Sequence, residues 1–232
     1  GLERLRARHR VAYLPEMADA AARAGAVGEA DAIVVRVFRV DAALLDRTPR
    51  LKLVAKHGSG TDNIDIPAAS RRRVLVANTP GGANATSVAE GAVTLMLALS
   101  RRVRAMDACV REGRFDDRWT VSQCELRGKT LGLVGFGQIA RAVNRICGLG
   151  FGMSVIAYDP FVPAADMTGC GVAKIDDLIQ LARRADILSV HAPLTASTRH
   201  LVRAPLLAAL RASALVVNTS RGGLVDERAL VS

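Results

Sequence analysis

The sequence predicts an α/β protein with a doubly wound parallel sheet, and two observations support this prediction. Short apolar runs alternate with longer stretches of helical periodicity along most of the 232 residues. The runs are nearly continuous, as in parallel strands that helices cover on both faces, and the alternation is typical of βαβ units. The predicted strands are residues 32–37, 51–55, 74–77, 130–134, 153–157, 187–190 and 214–217, and the clearest helical stretches are 138–149, 175–184 and 204–210.

A run of turn-forming residues indicates a domain boundary. It reads Asn78-Thr79-Pro80-Gly81-Gly82-Ala83-Asn84, and its proline and glycines would stop the preceding strand. We therefore expect one domain over residues 1–82 and a second, larger domain over residues 83–232.

The segment after this boundary predicts a long helix. Ser87-Val88-Ala89-Glu90 has the pattern of a capping box, which favours a helix that starts at Ser87. The apolar sequence that follows continues to about Arg104. Because such a helix has so little polar surface, we expect it to pack between domains or against another subunit.

Composition and charge narrow the class of function. The net charge is +10, but the arginines are spread along the whole chain and aromatic residues amount to only 3%, so a nucleic-acid partner is not expected. Arg71-Arg72-Arg73 is predicted to be a solvated helix end. The positive field can still attract an anionic cofactor and substrate.

No membrane or secretory segment is predicted. The longest apolar stretch, residues 91–99, is well short of the roughly 18 residues that a membrane span needs. The first residues are charged and lack the apolar core of a secretory signal. We therefore expect no membrane partner and a cytoplasmic protein.

The cysteines predict neither a metal site nor a disulfide framework. They form no Cys-x-x-Cys pair, and histidine and cysteine do not cluster at metal-ligand spacing. Cys147 lies among Ile146, Leu149 and Phe151, which favours a buried apolar position. The four cysteines are Cys109, Cys124, Cys147 and Cys170.

The strongest local signal is the string Gly135-Phe136-Gly137-Gln138-Ile139-Ala140 between a predicted strand and a predicted helix. In this context, G-x-G-x-x-A is the dinucleotide fingerprint of a Rossmann domain. Gly135 would permit the tight turn, and Gly137 would let the backbone approach the pyrophosphate. Ala140 replaces the third glycine and still allows close packing of helix on strand. The amides of Gln138 and Ile139 at the helix N-terminus would face the phosphates.

An acidic residue at the end of the next strand completes the fingerprint. Asp159 ends the run Met153-Ser154-Val155-Ile156-Ala157-Tyr158-Asp159, about twenty residues after the glycines, as the fingerprint requires. Its carboxylate would accept hydrogen bonds from the adenosine ribose hydroxyls and would repel a 2′-phosphate. The predicted cofactor is therefore NAD rather than NADP.

From Leu51 onward the sequence resembles the D-isomer-specific 2-hydroxyacid dehydrogenases, and most closely their phosphoglycerate dehydrogenase branch. Five motifs follow one another in the family's order across some 180 residues, and the segment before Leu51 is only loosely similar. The motifs are Lys56-His57-Gly58-Ser59-Gly60-Thr61-Asp62-Asn63-Ile64-Asp65, Asn78-Thr79-Pro80-Gly81, the glycine fingerprint with Tyr158-Asp159-Pro160, Ser189-Val190-His191-Ala192-Pro193-Leu194 and Val217-Asn218-Thr219-Ser220-Arg221-Gly222-Gly223-Leu224-Val225-Asp226-Glu227.

The resemblance implies a fold and a set of site residues. It implies a Rossmann NAD-binding domain and a smaller flavodoxin-like substrate domain, both incomplete, and a homodimer when the protein is complete. Arg221 would be the catalytic arginine, whose planar fork binds the 2-oxoacid carboxylate. Ser59 and Gly60 would belong to the substrate loop, whose backbone amides hold that carboxylate. The positions expected to line the cofactor also include Thr79, Ala192, Pro193, Thr219, Ser220 and Arg221 itself.

The chain departs from the family pattern in two places. Lys56-His57-Gly58 stands where many phosphoglycerate dehydrogenases have Arg-Ala-Gly, so the resemblance leaves the identity of the 2-hydroxyacid open. The family's glutamate and proton-transferring histidine would lie beyond Ser232, so the chain as given is expected to be inactive. Of the histidines present, only His57 flanks the substrate loop; His191 lies on the cofactor side, and His9 and His200 are elsewhere.

Three functions remain open. The first is NAD-dependent hydride transfer between a D-2-hydroxyacid and its 2-oxoacid. The second is a non-catalytic, NAD-sensing binding module of the same family, and the third is another Rossmann enzyme, such as one that uses S-adenosylmethionine. Retention of Arg221 favours the first over the second, because a sensor needs no carboxylate clamp. The five-motif match argues against the third.

Overall fold

The computed structural model describes residues 1–79 and 84–231 of the chain. The chain divides into two compact units, Gly1–Pro80 (unit 1) and Gly81–Ser232 (unit 2), and each has a parallel sheet of its own. The predicted domain boundary at residues 82 and 83 lies outside the described residues. In the described ranges, no helix is long and apolar enough to cross a membrane.

Unit 1 is built on a three-stranded sheet of order β1-β2-β3. Aspartates cap three of its helices, since the side chains of Asp19, Asp41 and Asp65 accept hydrogen bonds from first-turn amides. Its elements are α1 (Leu2–Arg6), a 3-10 turn (Leu14–Glu16), α2 (Ala20–Gly28), β1 (Ala32–Val35), α3 (Ala42–Asp46), β2 (Leu53–Lys56), α4 (Ile66–Arg71) and β3 (Leu75–Asn78).

Helices α2, α3 and α4 of unit 1 cover one face of its sheet. Val35 and Val54 are buried in one apolar cluster with residues of α3 and α4. On the opposite face, Val34 and Leu75 are 64% and 71% exposed. The expectation of helices on both faces is therefore wrong for the described part of this unit, because all its helices that reach the core contribute to the same cluster.

Strand β1 is two residues shorter than predicted. The chain leaves the sheet after Val35, because side chains of unit 1 bind the next carbonyls. The Lys56 ammonium donates to the Arg36 carbonyl, and the side-chain amide of Asn63 donates to the Phe38 carbonyl at 2.5 Å.

The predicted solvated end of α4 is confirmed, since Arg71, Arg72 and Arg73 are all exposed.

Unit 2 has a five-stranded parallel sheet of order β6-β5-β4-β7-β8. This is the doubly wound order, with the crossover reversing direction at β4. Its elements are α5 (Ala85–Ser100), α6 (Val103–Arg111), a 3-10 helix (Phe115–Thr120), β4 (Thr130–Val134), α7 (Gln138–Asn144), a π-helical turn (Arg145–Gly150), β5 (Ser154–Tyr158), α8 (Ala164–Thr168), β6 (Ala173–Lys174), α9 (Leu178–Arg184), β7 (Ile187–Val190), α10 (Ala204–Ala209), β8 (Leu215–Asn218), a 3-10 turn (Gly222–Leu224) and α11 (Glu227–Val231).

Helices cover both faces of this second sheet, as the continuous apolar strands predict. Leu131 and Leu133 of β4 belong to a buried cluster with residues of α5 and α7. Val134 belongs to a second cluster with residues of α9 and α10. Helix α9 lies so close to β4 that a Cβ at Gly132 would be 2.9 Å from Leu181 Cδ2.

The expected burial of Cys147 is confirmed, and burial raises the pKa of its thiol to about 11.

The predicted capping box at Ser87 is wrong. Helix α5 starts at Ala85, because the Asn84 carbonyl already accepts the amide of Val88 at 3.0 Å. The helix also ends at Ser100, where the carbonyl accepts the Cys124 amide at 2.9 Å. Arg102 then has a left-handed backbone, with φ of +49°, and α6 begins after it.

The very short strand β6 is missing from the prediction. Ile175 donates its amide to the Ala157 carbonyl at 2.8 Å, so the chain stays paired with β5 beyond Lys174. The next helix consequently starts at Leu178, where the Asp177 carboxylate caps it, and not at residue 175.

Asp186 joins three strands at the amino edge of the sheet of unit 2. Its carboxylate accepts the Thr130 amide at 2.8 Å and the Arg211 guanidinium at 2.6 Å, and its carbonyl accepts the Leu215 amide at 3.0 Å. Burial raises the pKa of this carboxyl, but the hydrogen bonds from Thr130 and Arg211 outweigh burial, so the pKa lies below its ordinary value.

We predict that Asp186→Asn lowers the free energy of unfolding at neutral pH by about 1–2 kcal/mol, because charge-assisted hydrogen bonds are lost. A lowered folded-state pKa gives stability that is present above the unfolded pKa of about 3.9 and is lost as pH falls through the folded pKa. The difference between the two proteins should therefore shrink below about pH 4. Urea unfolding at several pH values measures it. Asp176→Asn, at a carboxylate that is 88% exposed, is the control; equal effects of both substitutions would contradict the prediction.

Candidate functional site

The predicted cofactor residues of unit 2 meet at the carboxyl edge of its sheet. Each of four neighbouring strands is followed at once by a candidate residue: Asp159 after β5, Gly135 after β4, His191 after β7 and Thr219 after β8. The last residues of these strands are in register with one another. In doubly wound sheets this edge is where ligands bind.

Gly135 makes the turn that ends β4. Its φ is +91°, and a Cβ there would be 3.0 Å from both the Ala192 nitrogen and the His191 carbonyl carbon. A side chain at this position would therefore separate β4 from the chain that follows β7. The Gly135 amide also donates to the Tyr158 carbonyl at 2.8 Å, which ties the turn to the end of β5.

Gly137 is open to solvent and caps α7. Apart from its two chain neighbours, no described residue has a heavy atom within 4 Å of where its Cβ would stand, so the space beside it is free for a ligand. The next amides, of Gln138 and Ile139, begin the helix and have no acceptor within it. Ala140 is fully buried against the sheet, as the fingerprint predicts.

Two backbone amides hold the carboxylate of Asp159 beside the glycine turn. Oδ2 accepts the Phe136 amide and Oδ1 accepts the Phe161 amide, each at 2.9 Å. The Arg141 guanidinium stacks 4.7 Å from the centre of the Phe136 ring. The carboxylate therefore has a fixed place as a hydrogen-bond acceptor next to the glycine loop.

The imidazole of His191 is partly buried. Its Nε2 lies 2.9 Å from the Ser189 hydroxyl, and burial lowers the pKa of the ring to about 4. Its Nδ1 and the Thr219 hydroxyl are buried, and neither has a hydrogen-bond partner among the described residues. The sequence reasoning passed over Ser189, although its spacing of two residues from His191 on a strand places both on one face.

Arg221 follows β8 in a turn that Asn218 organises. The Asn218 side chain accepts the Ser220 amide at 3.0 Å and donates to the Arg221 carbonyl at 2.8 Å. The Ser220 hydroxyl donates to the Val190 carbonyl at 3.3 Å, and the Arg221 guanidinium donates to the Ser220 carbonyl at 3.0 Å. Arg221 lines a cavity of about 310 Å³, together with Ser220, Gly222 and Glu227.

The predicted substrate loop lies in unit 1, after β2. Gly58 has φ of +138°, and Thr79 clamps it, since the Thr79 hydroxyl accepts the Gly58 amide and the Thr79 amide donates to the Gly58 carbonyl, both at 3.2 Å. The side-chain amide of Asn78 donates to the Ser59 carbonyl at 2.8 Å. Gly60 follows this clamp. The cofactor contact expected of Thr79 stays a prediction.

Lys56 points into unit 1 instead of toward solvent. Only 8% of the residue is exposed, and its ammonium donates to the Arg36 carbonyl and to Asn63 Oδ1, the latter at 2.6 Å. The neighbouring His57 is exposed. At this departure from the family pattern, the lysine therefore supports the fold of the substrate loop.

The residues at the carboxyl edge of unit 2 fit a dinucleotide. The open space beside Gly137 suits a pyrophosphate, and the fixed carboxylate of Asp159 suits ribose hydroxyls. The structure thus brings together Gly135, Gly137, Gln138, Ile139, Asp159, Ala192, Pro193, Thr219, Ser220 and Arg221. Within the described ranges, no three His, Cys, Asp or Glu side chains are grouped to hold a metal ion.

Comparison with known proteins finds similar enzymes. The chain is 46% identical over 209 residues to D-3-phosphoglycerate dehydrogenase of Mycobacterium tuberculosis and 41% identical over 205 residues to hydroxypyruvate reductase of Thermotoga maritima. Each match covers 88% of this chain but only 38% and 65% of those proteins, respectively. A structure of Aquifex aeolicus D-lactate dehydrogenase with NAD and lactic acid is similar with a TM-score of 0.82 and 29% identity, over 94% of this chain and 63% of that one.

Residues 93–232 match the family model of the D-isomer specific 2-hydroxyacid dehydrogenase NAD-binding domain. This range is more than half of the chain and holds the glycine turn, Asp159 and Arg221. The chain therefore belongs to the D-isomer-specific 2-hydroxyacid dehydrogenase family.

Proposed function

We propose that the intact protein is an NAD-dependent oxidoreductase that interconverts a D-2-hydroxyacid and its 2-oxoacid. The observation that carries the proposal is the position of Arg221, which lines a cavity and lies three residues after β8, on the sheet edge that bears the glycine fingerprint. The chain spans 38% to 65% of the lengths of the relatives described above, so the activity is proposed for the whole protein.

The mechanism follows from what these side chains can do. NAD, when bound, supplies the hydride acceptor or donor. The Asp159 carboxylate would bind the ribose hydroxyls of the adenosine, and the amides after Gly137 would bind the pyrophosphate. The fork of Arg221 would bind the substrate carboxylate through two N–H groups and so orient the reacting carbon.

His191 does not serve as the proton donor in this proposal. Partial burial lowers the pKa of its ring to about 4, so at neutral pH the ring is not in the protonated form that a general acid needs. His57 in unit 1 is exposed beside the substrate loop. The substrate is proposed only as a class, a small D-2-hydroxyacid. Lys56 stands at the departure from the phosphoglycerate dehydrogenase pattern, and its ammonium is hydrogen-bonded to Asn63 and to the Arg36 carbonyl, so it does not identify the acid.

We predict that Asp159→Ser weakens NAD binding about 10- to 100-fold, because hydrogen bonds to a charged acceptor are lost. The same change should narrow the preference for NAD over NADP, since the repulsion of a 2′-phosphate is removed. Titration calorimetry with both nucleotides measures this, with the exposed Asp166→Ser as control. Equal affinity of the unchanged protein for NAD and NADP would remove this role from Asp159.

We predict that Arg221→Lys in the full-length protein lowers kcat/KM for 2-oxoacids by about 10- to 100-fold, because a lysine keeps the charge but loses the bidentate fork. Arg203→Lys, at an exposed arginine, is the control and should behave like the unchanged enzyme. Steady-state NADH oxidation with a panel of 2-oxoacids measures both. Near-normal kinetics of the Arg221 variant would contradict the proposal, and tight NAD binding without turnover of any acid would indicate a sensor.

A homodimer is part of the proposal, as the family resemblance leads us to expect. Consecutive elements of unit 2 present exposed apolar side chains, and such residues are typical of interfaces. The Arg118 guanidinium stacks 3.9 Å from the Phe115 ring centre and 4.4 Å from that of Trp119, which holds both rings in place. The exposed side chains are Leu95, Leu99, Val103, Val110, Phe115 and Trp119.

A cytoplasmic location is also proposed, because unpaired thiols such as Cys147 are typical of that compartment.

We predict that Trp119→Ser raises the dissociation constant of the dimer about 10-fold or more, because a buried interface tryptophan is commonly a hot spot. Trp119 is 78% exposed in the single chain. Phe161→Ser, at an aromatic residue that is 91% exposed but outside this surface, is the control. Sedimentation over a range of concentrations distinguishes the outcomes, and unchanged association of the Trp119 variant would refute this interface.

A further inference from the structure

One side-chain amide organises the turn that leads from β8 to Arg221. Asn218 is the last residue of β8, and both ends of its side chain are used within the turn. Its oxygen accepts the Ser220 amide at 3.0 Å, and its nitrogen donates to the Arg221 carbonyl at 2.8 Å. The same side chain therefore holds the residue before Arg221 and Arg221 itself.

Arg221 lies between two elements rather than inside one. Its backbone is extended, with φ of −139° and ψ of 136°, and a 3-10 turn begins at the next residue. Its carbonyl accepts hydrogen bonds from the Asn218 side chain and from the Leu224 amide, the latter at 3.1 Å. Since the Arg221 side chain leaves from the same residue, rotation of this peptide group would redirect the guanidinium.

The segment after Arg221 has anchors of its own in unit 2. The Gly223 carbonyl accepts the His200 amide at 2.8 Å, and the Leu224 carbonyl accepts the Val202 amide at 2.9 Å. Val202 and Leu224 are both fully buried. A change at the end of β8 should therefore alter the turn without releasing the segment that follows it.

The two bonds of Asn218 make different demands on the side chain. An oxygen that accepts the amide two residues further on forms an Asx turn, which aspartate also makes and serine makes more weakly. The bond to the Arg221 carbonyl needs a donor on the same side chain. An amide supplies both groups, whereas a carboxylate only accepts, and a serine hydroxyl is one bond shorter. The second bond is thus the one that singles out asparagine.

We propose that Asn218 is a positioning residue that directs the guanidinium of Arg221 toward the substrate carboxylate. The inference rests on the proposed function, in which the fork of Arg221 binds that carboxylate. Bidentate binding depends on the direction of the fork as well as on its charge. The guanidinium also donates to the Ser220 carbonyl at 3.0 Å, so it is tied to a residue whose amide Asn218 holds.

The test measures steady-state kinetics of the full-length protein with NADH and a panel of 2-oxoacids that includes pyruvate and hydroxypyruvate. Asn218→Ala removes both bonds, and Asn218→Ser keeps an acceptor for the turn but does not reach the Arg221 carbonyl. Asn144→Ala is the matched control, because the buried Asn144 also donates its side-chain amide to a backbone carbonyl of unit 2, that of Cys170, at 2.9 Å.

We expect both Asn218 variants to raise KM for the 2-oxoacid about threefold to tenfold, while KM for NADH stays within about twofold of the unchanged value. The fork already holds the carboxylate in the Michaelis complex, so a misdirected fork weakens substrate binding. Asn144→Ala should leave both KM values unchanged. Because KM does not depend on the fraction of active protein, this difference separates positioning from a general loss of folded enzyme.

A double substitution tests whether Asn218 acts through Arg221. In an Arg221→Lys enzyme the bidentate fork is already absent. Adding Asn218→Ala there should raise KM for the 2-oxoacid less than about twofold further, because the effects of residues that act through one another are not additive.

Other results would overturn the inference in distinguishable ways. An unchanged KM in Asn218→Ser, the milder variant, would show that the bond to the Arg221 carbonyl has no part in substrate binding. An equal rise in KM for NADH would show that Asn218 acts on the cofactor. Additive effects of the Asn218 and Arg221 substitutions would show that Asn218 acts independently of the arginine. Normal kinetics of Arg221→Lys would overturn the proposed function itself, and this inference with it.

Discussion

The close approach between the turn that ends β4 and the backbone that follows β7 is the constraint on which the carboxyl edge of unit 2 depends. With φ of +91° at Gly135, a Cβ would stand 3.0 Å from the His191 carbonyl carbon and the Ala192 nitrogen. The Gly135 amide also bonds the Tyr158 carbonyl at the end of β5. One residue without a side chain thereby lets the ends of three strands meet, and every polar group of the site is attached to one of those strands or to β8.

Because the strand ends are locked together, the polar groups at this edge keep fixed places. The Asp159 carboxylate is held by the Phe136 and Phe161 amides at one side, and the turn before Arg221 is held by Asn218 at the other. The edge therefore carries an anion near β5 and a cation after β8, with neutral His191 between them. Such a distribution suits an extended ligand with hydroxyl groups at one end and an anionic reaction partner at the other.

The strands of unit 2 show why some boundaries follow from sequence and others do not. Residues 130–134 and 187–190 were predicted to the residue, because a strand buried on both faces is a continuous apolar run bounded by polar residues. Strand β6 has only two residues and leaves no such run. The start of α5 was wrong because Asn84 begins the helix one turn ahead of the capping box that Ser87 resembles.

The sequence by itself determined the doubly wound fold of unit 2 and singled out the glycine fingerprint, Asp159 and Arg221 as candidates, since strand periodicity and the order of motifs are local properties of the chain. Only the tertiary structure decided what the side chains near these motifs do. Lys56 turned out to support the substrate loop from within unit 1, and Ser189 turned out to orient His191. Burial and hydrogen bonding depend on which distant segments pack together, and no local pattern of residues contains that information.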